Sequence, residues 1–256
     1  MVLMKYILLF VIILISILSV SNAQVIEIGV KETIDKEIGP LSYDQSVVDN
    51  PFKVSFELFN SGSTGYNTRA RMDVFKEDKL LFTGWSKEYS LNPGIRSNFE
   101  IYWYPPNLTG DFTGRIRVYY ANEIEDLDPI EFEIKNEIVP EDVIEITDFR
   151  TFEEEVMFEI SSSQSLDNVI IIPSNHPLGW IFEQKKIEKL NKNERKELEI
   201  YYEPTLWKSS DVTINVITED GKYYTSESFT LERVGLLRQF LYDFSKLLSR
   251  YLSIIL

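Results

Sequence analysis

The chain has 256 residues, 44% of them apolar and 13% aromatic, with one histidine and no cysteine. That is enough apolar material for two cores in domains of about 100 residues each, and too much for a disordered chain. A net charge of −15 excludes a nucleic-acid surface, because phosphates would be repelled, and the missing cysteine removes disulfides, thiolate metal sites and cysteine nucleophiles.

At the N-terminus, Lys5 is the only charge before Glu27, and Tyr6–Val20 is apolar except for Ser16 and Ser19. Ser21-Asn22-Ala23 then supplies small residues where a signal peptidase reads, so residues 1–23 read as a signal peptide and the mature chain as starting at Gln24. Retained, the same run would be an anchor, since Met1–Val20 is barely long enough to span a bilayer. Either way, the remainder is exported.

Residues 24–137 form the first predicted domain. Phe52, Val54, Phe56 and Leu58 alternate with Lys53, Ser55 and Glu57, and the same period of two recurs at Phe99, Ile101 and Trp103 and at Ile130, Phe132 and Ile134. Each run therefore has one wet and one buried face. Asn60–Gly65, Glu77-Asp78 and Asn92-Pro93-Gly94 supply turns, and Pro105-Pro106 stops the strand before it. Strands are predicted over 25–31, 51–60, 69–76, 79–87, 95–104, 112–121 and 129–136. That number and spacing predict an immunoglobulin-like or fibronectin-like antiparallel sandwich. Asn107-Leu108-Thr109 is a glycosylation sequon in a surface loop, with Asn107 as the acceptor.

The order of motifs in this half is carried by Phe56–Gly62, Leu91–Gly94, Trp103–Pro105, Gly110–Val118 and Asn122–Asp126. It resembles the CARDB family over most of residues 45–135. The resemblance implies an adhesion or accessory module of a prokaryotic, often archaeal, extracellular protein. Its motifs are turn and core residues, so it implies a fold and not an activity.

Between Glu123 and Glu155 there are fourteen acidic residues against Lys135 and Arg150, a local charge of −12. Two readings stand. The carboxylates are the outward faces of edge strands, kept charged against edge pairing. Alternatively Asn122, Glu123, Glu125, Asp126 and Asp128 supply oxygen ligands to calcium, although EF-hand spacing is absent.

Residues 138–234 form the second predicted domain, where alternation resumes at Ile144 and Ile146, at Val156, Phe158 and Ile160, at Val169 and Ile171, and at Val212, Ile214 and Val216. Asp220-Gly221 reads as a two-residue hairpin turn with positive φ at both positions. His176 lies in a turn between Pro173 and Pro177 and reads as solvated. Pro177–Trp180, Leu190 and Tyr202–Pro204 resemble sandwich modules appended to archaeal S-layer-type proteins and some secreted glycosidases.

This half nearly repeats the first. Leu91, Asn92, Arg96, Glu100, Ile101, Tyr102 and Pro105 recur at an offset of 99 as Leu190, Asn191, Arg195, Glu199, Ile200, Tyr201 and Pro204. Val54–Leu58 answers Val156–Ile160 at an offset of 102, and Gly84-Trp85 answers Gly179-Trp180 at 95. A period near one hundred residues matches one sandwich per copy, with drifting offsets marking loop insertions.

After Gly235 the period changes. Leu236, Leu237, Phe240, Leu241, Phe244, Leu247, Leu248, Tyr251, Leu252 and Ile255 form one face, and Arg238, Asp243, Lys246 and Arg250 stand on the other. Residues 235–256 therefore predict an amphipathic helix that lies on a membrane surface, pairs with copies or partners, or packs on its own sandwich.

No phosphate-binding glycine loop, His-x-x-x-His pair or Gly-x-Ser-x-Gly elbow occurs, and catalysis is not expected. Tyr102, Tyr104, Tyr119, Tyr120, Tyr201 and Tyr202 would stack on sugars where they fall on wet faces, and otherwise serve as strand formers. The sequence thus predicts an all-β pair of tandem sandwiches with flanking helices, in a secreted or cell-surface structural protein. Its partners would be surface proteins, itself, a membrane surface or a glycan. No cofactor is implied beyond calcium at the acidic residues. The alternative is a carbohydrate-binding accessory module. A two-sandwich assembly chaperone would need a basic anchor between its domains, and this junction is acidic.

Overall fold

The computed structural model describes residues 33–152, 154–204 and 209–231. The expected signal peptide, the strand over 25–31 and the C-terminal helix of 235–256, with Leu237, Phe240, Leu241, Phe244, Leu247, Leu248, Tyr251 and Leu252, lie outside the described residues. Among the described residues every element is a strand.

The first half contributes β1 (Glu37–Ile38), β2 (Ser42–Tyr43), β3 (Ser46–Val48), β4 (Phe52–Phe59), β5 (Tyr66–Lys76) and β6 (Lys79–Trp85). It continues with β7 (Tyr89–Leu91), β8 (Arg96–Trp103), β9 (Gly110–Tyr120), β10 (Glu123–Asp126) and β11 (Ile130–Lys135). In one sheet β4 is flanked by β1 and β2 on one side and by β8 on the other. In the second the order is β3-β11-β9-β5-β6, with β10 beside β9 and β7 beside β5. The alternating apolar residues of both sheets enter one core, where the Phe52 ring of the first lies flat on Phe132 of the second, with centroids 3.6 Å apart.

The second half contributes β12 (Ile144–Thr151), β13 (Glu155–Ser162), β14 (Leu166–Ser174), β15 (Ile181–Phe182) and β16 (Lys185–Leu190). It ends with β17 (Arg195–Glu203), β18 (Ser210–Thr218) and β19 (Tyr224–Leu231). Its sheets run β12-β13-β17-β15 and β16-β14-β18-β19, and a second core cluster draws on both. Phe149 of β12 and Phe229 of β19 stack across them at 4.8 Å.

The two sequence offsets have a structural counterpart. In the first half Val54 pairs with Ile101 and Phe56 with Phe99. In the second Val156 pairs with Ile200 and Phe158 with Leu198. Moving β4 by 102 residues and β8 by 99 therefore reproduces the cross-strand register, so the sequence repeat marks the same strand pair built twice.

β14 departs from alternation. Val169, Ile170, Ile171 and Ile172 are all buried, because the strand has no wet face. Val169 and Ile171 face the second core, whereas Ile170 and Ile172, with Ile217 of β18, join the first. Burying three such side chains contributes roughly 1.5–3 kcal/mol each. Tyr104 and Tyr224 extend this seam with rings 5.2 Å apart. From Ile34 onward the described residues belong to one compact unit.

Turn chemistry follows the sequence at Glu77-Asp78, where φ values of 48° and 63° make the tight hairpin between β5 and β6. It differs at Asp220-Gly221, where only Gly221 takes positive φ (72°). The loop between β18 and β19 is longer than two residues, closed by Gly221 N–H donating to the Thr218 carbonyl at 2.9 Å. A methyl group added at Gly221 would overlap the main-chain carbonyl of Asp49 in the first half, so glycine is required there by proximity as well as by φ.

Candidate functional site at the seam between the repeated strands

The seam is closed by Glu183 and Gln184, between β15 and β16, and the two residues that follow, Lys185 and Lys186, tie this segment to its own half. Gln184 is buried, and its amide accepts from Tyr102 N–H and donates to Tyr102 C=O, both at 2.7 Å. A side-chain amide thus replaces a neighbouring strand on the outer edge of β8. Glu183 accepts the N–H of Glu88 at 3.0 Å, and Lys185 donates to the Glu199 carbonyl at 3.2 Å. Lys186 binds both carboxylate oxygens of Glu219 at 3.0 Å. The indole N–H of Trp85 reaches the Trp180 carbonyl at 3.2 Å, bringing together the two tryptophans of the Gly-Trp repeat.

Beside this clasp opens a cleft of about 640 Å³. One wall is β8 with Asn98, Glu100 and Tyr102, and the other is β17 with Glu199, Ile200 and Tyr201. The Glu-Ile-Tyr segment of each repeat thus contributes to the same cavity. Its charged lining is balanced: Lys87, Lys185 and Lys186 face Glu100, Glu183 and Glu199. Burial favours a neutral Glu100, but hydrogen bonds from Lys53 (2.6 Å) and Tyr102 (2.8 Å) and the charges of Lys53 and Lys186 outweigh it, holding its pKa low. Glu183 goes the other way, since its burial exceeds what the Glu88 N–H and Arg69 offer and raises its pKa.

The tyrosines sort in a way that alternation alone does not give. Tyr102 and Tyr104 are buried, not stacking platforms. Tyr102 lies between Lys53 and Lys186, 5.6 and 5.9 Å from its ring, and burial pushes its phenol far above the usual range. Tyr104 is pushed up to about 12, chiefly by burial, and its hydroxyl has no hydrogen-bond partner among the described residues. Tyr201 is 55% exposed and faces the cleft.

The residues proposed for calcium do not gather as one set: Glu123 and Glu125 share a face and meet Tyr120 and Lys36, whereas Asp126 turns to Arg117. Asn122 sits with Ala121 in a hairpin turn (φ 68° and 45°), and Glu123–Asp126 form β10, whose successive side chains point to opposite faces. Glu123 accepts from Tyr120 at 2.7 Å, Glu125 pairs with Lys36 at 2.5 Å, and Asp126 pairs with Arg117 at 2.7 Å. Asp128 is exposed beyond the strand. Among the described residues no three histidine or acidic side chains gather to hold a metal. Asn107 is exposed in the turn between β8 and β9, accessible for modification. His176 is half-buried and not fully solvated: its ring lies 5.0 Å from Phe182, and burial lowers its pKa.

No family model matches the sequence, and no curated protein matches it. Among solved structures the chain is similar to the Pseudomonas fluorescens alkylpurine DNA glycosylase AlkC bound to DNA containing an abasic site analog. That likeness has a TM-score of 0.31 and 16% identity, over 40% of this chain and 31% of that one. A second is red sea bream transglutaminase, with a TM-score of 0.28 and 8% identity over 78% of this chain and 31% of that one. The chain thus spans 31% of the length of each, and likeness at this level carries no functional argument.

Proposed function

We propose that the protein is an exported, non-enzymatic structural and interaction protein of the cell envelope. Its two halves, each an immunoglobulin- or fibronectin-like sandwich, serve as one stiff spacer. The segment 235–256, the expected amphipathic helix, attaches it to a membrane surface or assembles it with partners. The observation that carries this reading is the seam: Gln184 hydrogen-bonded to both main-chain groups of Tyr102, and Ile170 and Ile172 sunk in the other half's core. A protein that closes on substrates needs a hinge, whereas a spacer needs its halves locked. The carboxylates of the cleft support the same reading, because Glu100 is engaged by Lys53 and Tyr102 and Glu183 by a main-chain N–H.

Protease shaving of intact cells, followed by envelope fractionation of the full chain and of a chain ending at residue 235, tests the proposal. The full chain is expected at the surface and in the envelope fraction, and the shortened chain in the medium. Recovery of the full chain inside the cell, inaccessible to protease, would overturn it.

A further inference from the structure

The cleft between β8 and β17 goes beyond what a spacer requires. Because both main-chain groups of Tyr102 turn outward to Gln184, Tyr102 and Lys53 form a non-hydrogen-bonded pair in the β4–β8 ladder. In an antiparallel pair that parity repeats every second residue, so the N–H and C=O of Glu100 and Asn98 also point away from β4. Among the described residues no strand covers that edge, and Asn98 and Glu100 line the cleft. Its rim adds the Asn98 amide and the exposed ring of Tyr201, whose hydroxyl is hydrogen-bonded to Glu199.

Charge and length narrow the occupant. Three lysines face three glutamates, so in a chain of net charge −15 this cavity is locally neutral. A polyanion or polycation would gain little there. A peptide strand is also poorly served. Gln184 already occupies Tyr102 and Lys185 the Glu199 carbonyl, leaving a short free ladder flanked by the charged side chains that guard edges. What remains is an apolar ring face beside closely spaced donors and acceptors of both kinds. That is the complement of a sugar, which presents C–H faces and hydroxyls that both donate and accept.

We propose that the cleft binds a short stretch of a neutral saccharide chain, with Tyr201 as its stacking platform and Asn98 and the β8 edge as its hydroxyl partners. This adds a ligand to the spacer and does not depend on where the protein is anchored.

The test is an array of neutral, sulfated and sialylated oligosaccharides probed with the mature chain. It is followed by calorimetric titration of the tightest neutral one against wild type, Tyr201→Ala, Tyr201→Phe and Asn98→Ala. Binding to a neutral oligosaccharide is expected, insensitive to added salt and weakened about tenfold or more by Tyr201→Ala and Asn98→Ala. Tyr201→Phe, which keeps the ring, should retain most of it. Tyr201 and Asn98 are exposed, so unchanged melting temperatures would separate lost binding from lost folding. The proposal fails if no neutral oligosaccharide binds, if only the charged ones do, if the two alanine variants bind like wild type, or if a peptide displaces the sugar at lower concentration.

Discussion

Tyr102 and Tyr201 end the same Glu-Ile-Tyr segment in strands that pair in the same register, yet Tyr102 is 3% exposed and Tyr201 is 55% exposed. Nothing within either strand accounts for the difference, since both tyrosines fall on the face that alternation leaves wet. The difference comes from what covers them. The second half lays Gln184 against the outer edge of β8, while the corresponding face of β17 borders an open cleft. The same strand register occurs twice, and the seam gives its two occurrences different surroundings: one tyrosine is interior, the other presents an exposed aromatic ring.

The most disruptive way to remove this asymmetry is to force the seam apart. Gly221→Ala puts a methyl group into the Asp49 carbonyl at a positive φ, and it is expected to cost about 3 kcal/mol or more in urea unfolding. Gln184→Ala acts on the asymmetry directly, by stranding the N–H and C=O of Tyr102. At about 1–3 kcal/mol per stranded group, tempered by water entering the gap, a loss of about 2–4 kcal/mol is expected. Tyr201→Ala, at the equivalent repeat position, should lie within about 0.5 kcal/mol of wild type. Equal losses for Gln184→Ala and Tyr201→Ala would show that the two positions are not different after all.

Acid gives a milder probe of the seam. The pKa of His176 is lowered in the folded protein, so the unfolded chain takes up its proton first as the pH falls. Its contribution to stability is therefore unchanged above the ordinary histidine pKa of 6.5 and declines as the pH drops below it. Unfolding free energies measured across that range should fall more steeply for wild type than for His176→Gln, and parallel curves would refute the assignment. The smallest effect is expected at Tyr104, whose buried hydroxyl lacks a partner among the described residues. Tyr104→Phe should leave the protein unchanged or stabilise it by up to about 1 kcal/mol in the same urea titration.

Much of the fold could be read from the residues. Alternation located β4, β5, β6, β8, β9 and β11 to within a few positions, since each has enough residues to show a wet and a dry face. β1, β2, β3, β7 and β10 were missed because two to four residues are too few for a period to register. At Glu123–Asp126 the concentration of carboxylates read either as the outward face of an edge strand or as an ion site. These residues form β10, paired only with β9 among the described residues, and the tight turn falls one step earlier, at Ala121-Asn122. The seam did leave a trace. Val169–Ile172 is an unbroken apolar run, the signature of a strand covered on both faces, and counting only Val169 and Ile171 overlooked it. The cleft left none, because the burial of Tyr102 depends on Gln184, 82 residues away, and no local pattern encodes that contact.

The contact between Gly221 and Asp49 also bears on how the protein can be engineered. Hairpin loops are ordinarily the safest places to insert a tag, a cleavage site or a second protein. In this molecule the loop after β18 is wedged against the opposite half, so an insertion there would act as a lever on the whole seam. The loop around Asn107 and Leu108 is exposed, and it is the better entry point for a fluorophore or an affinity handle.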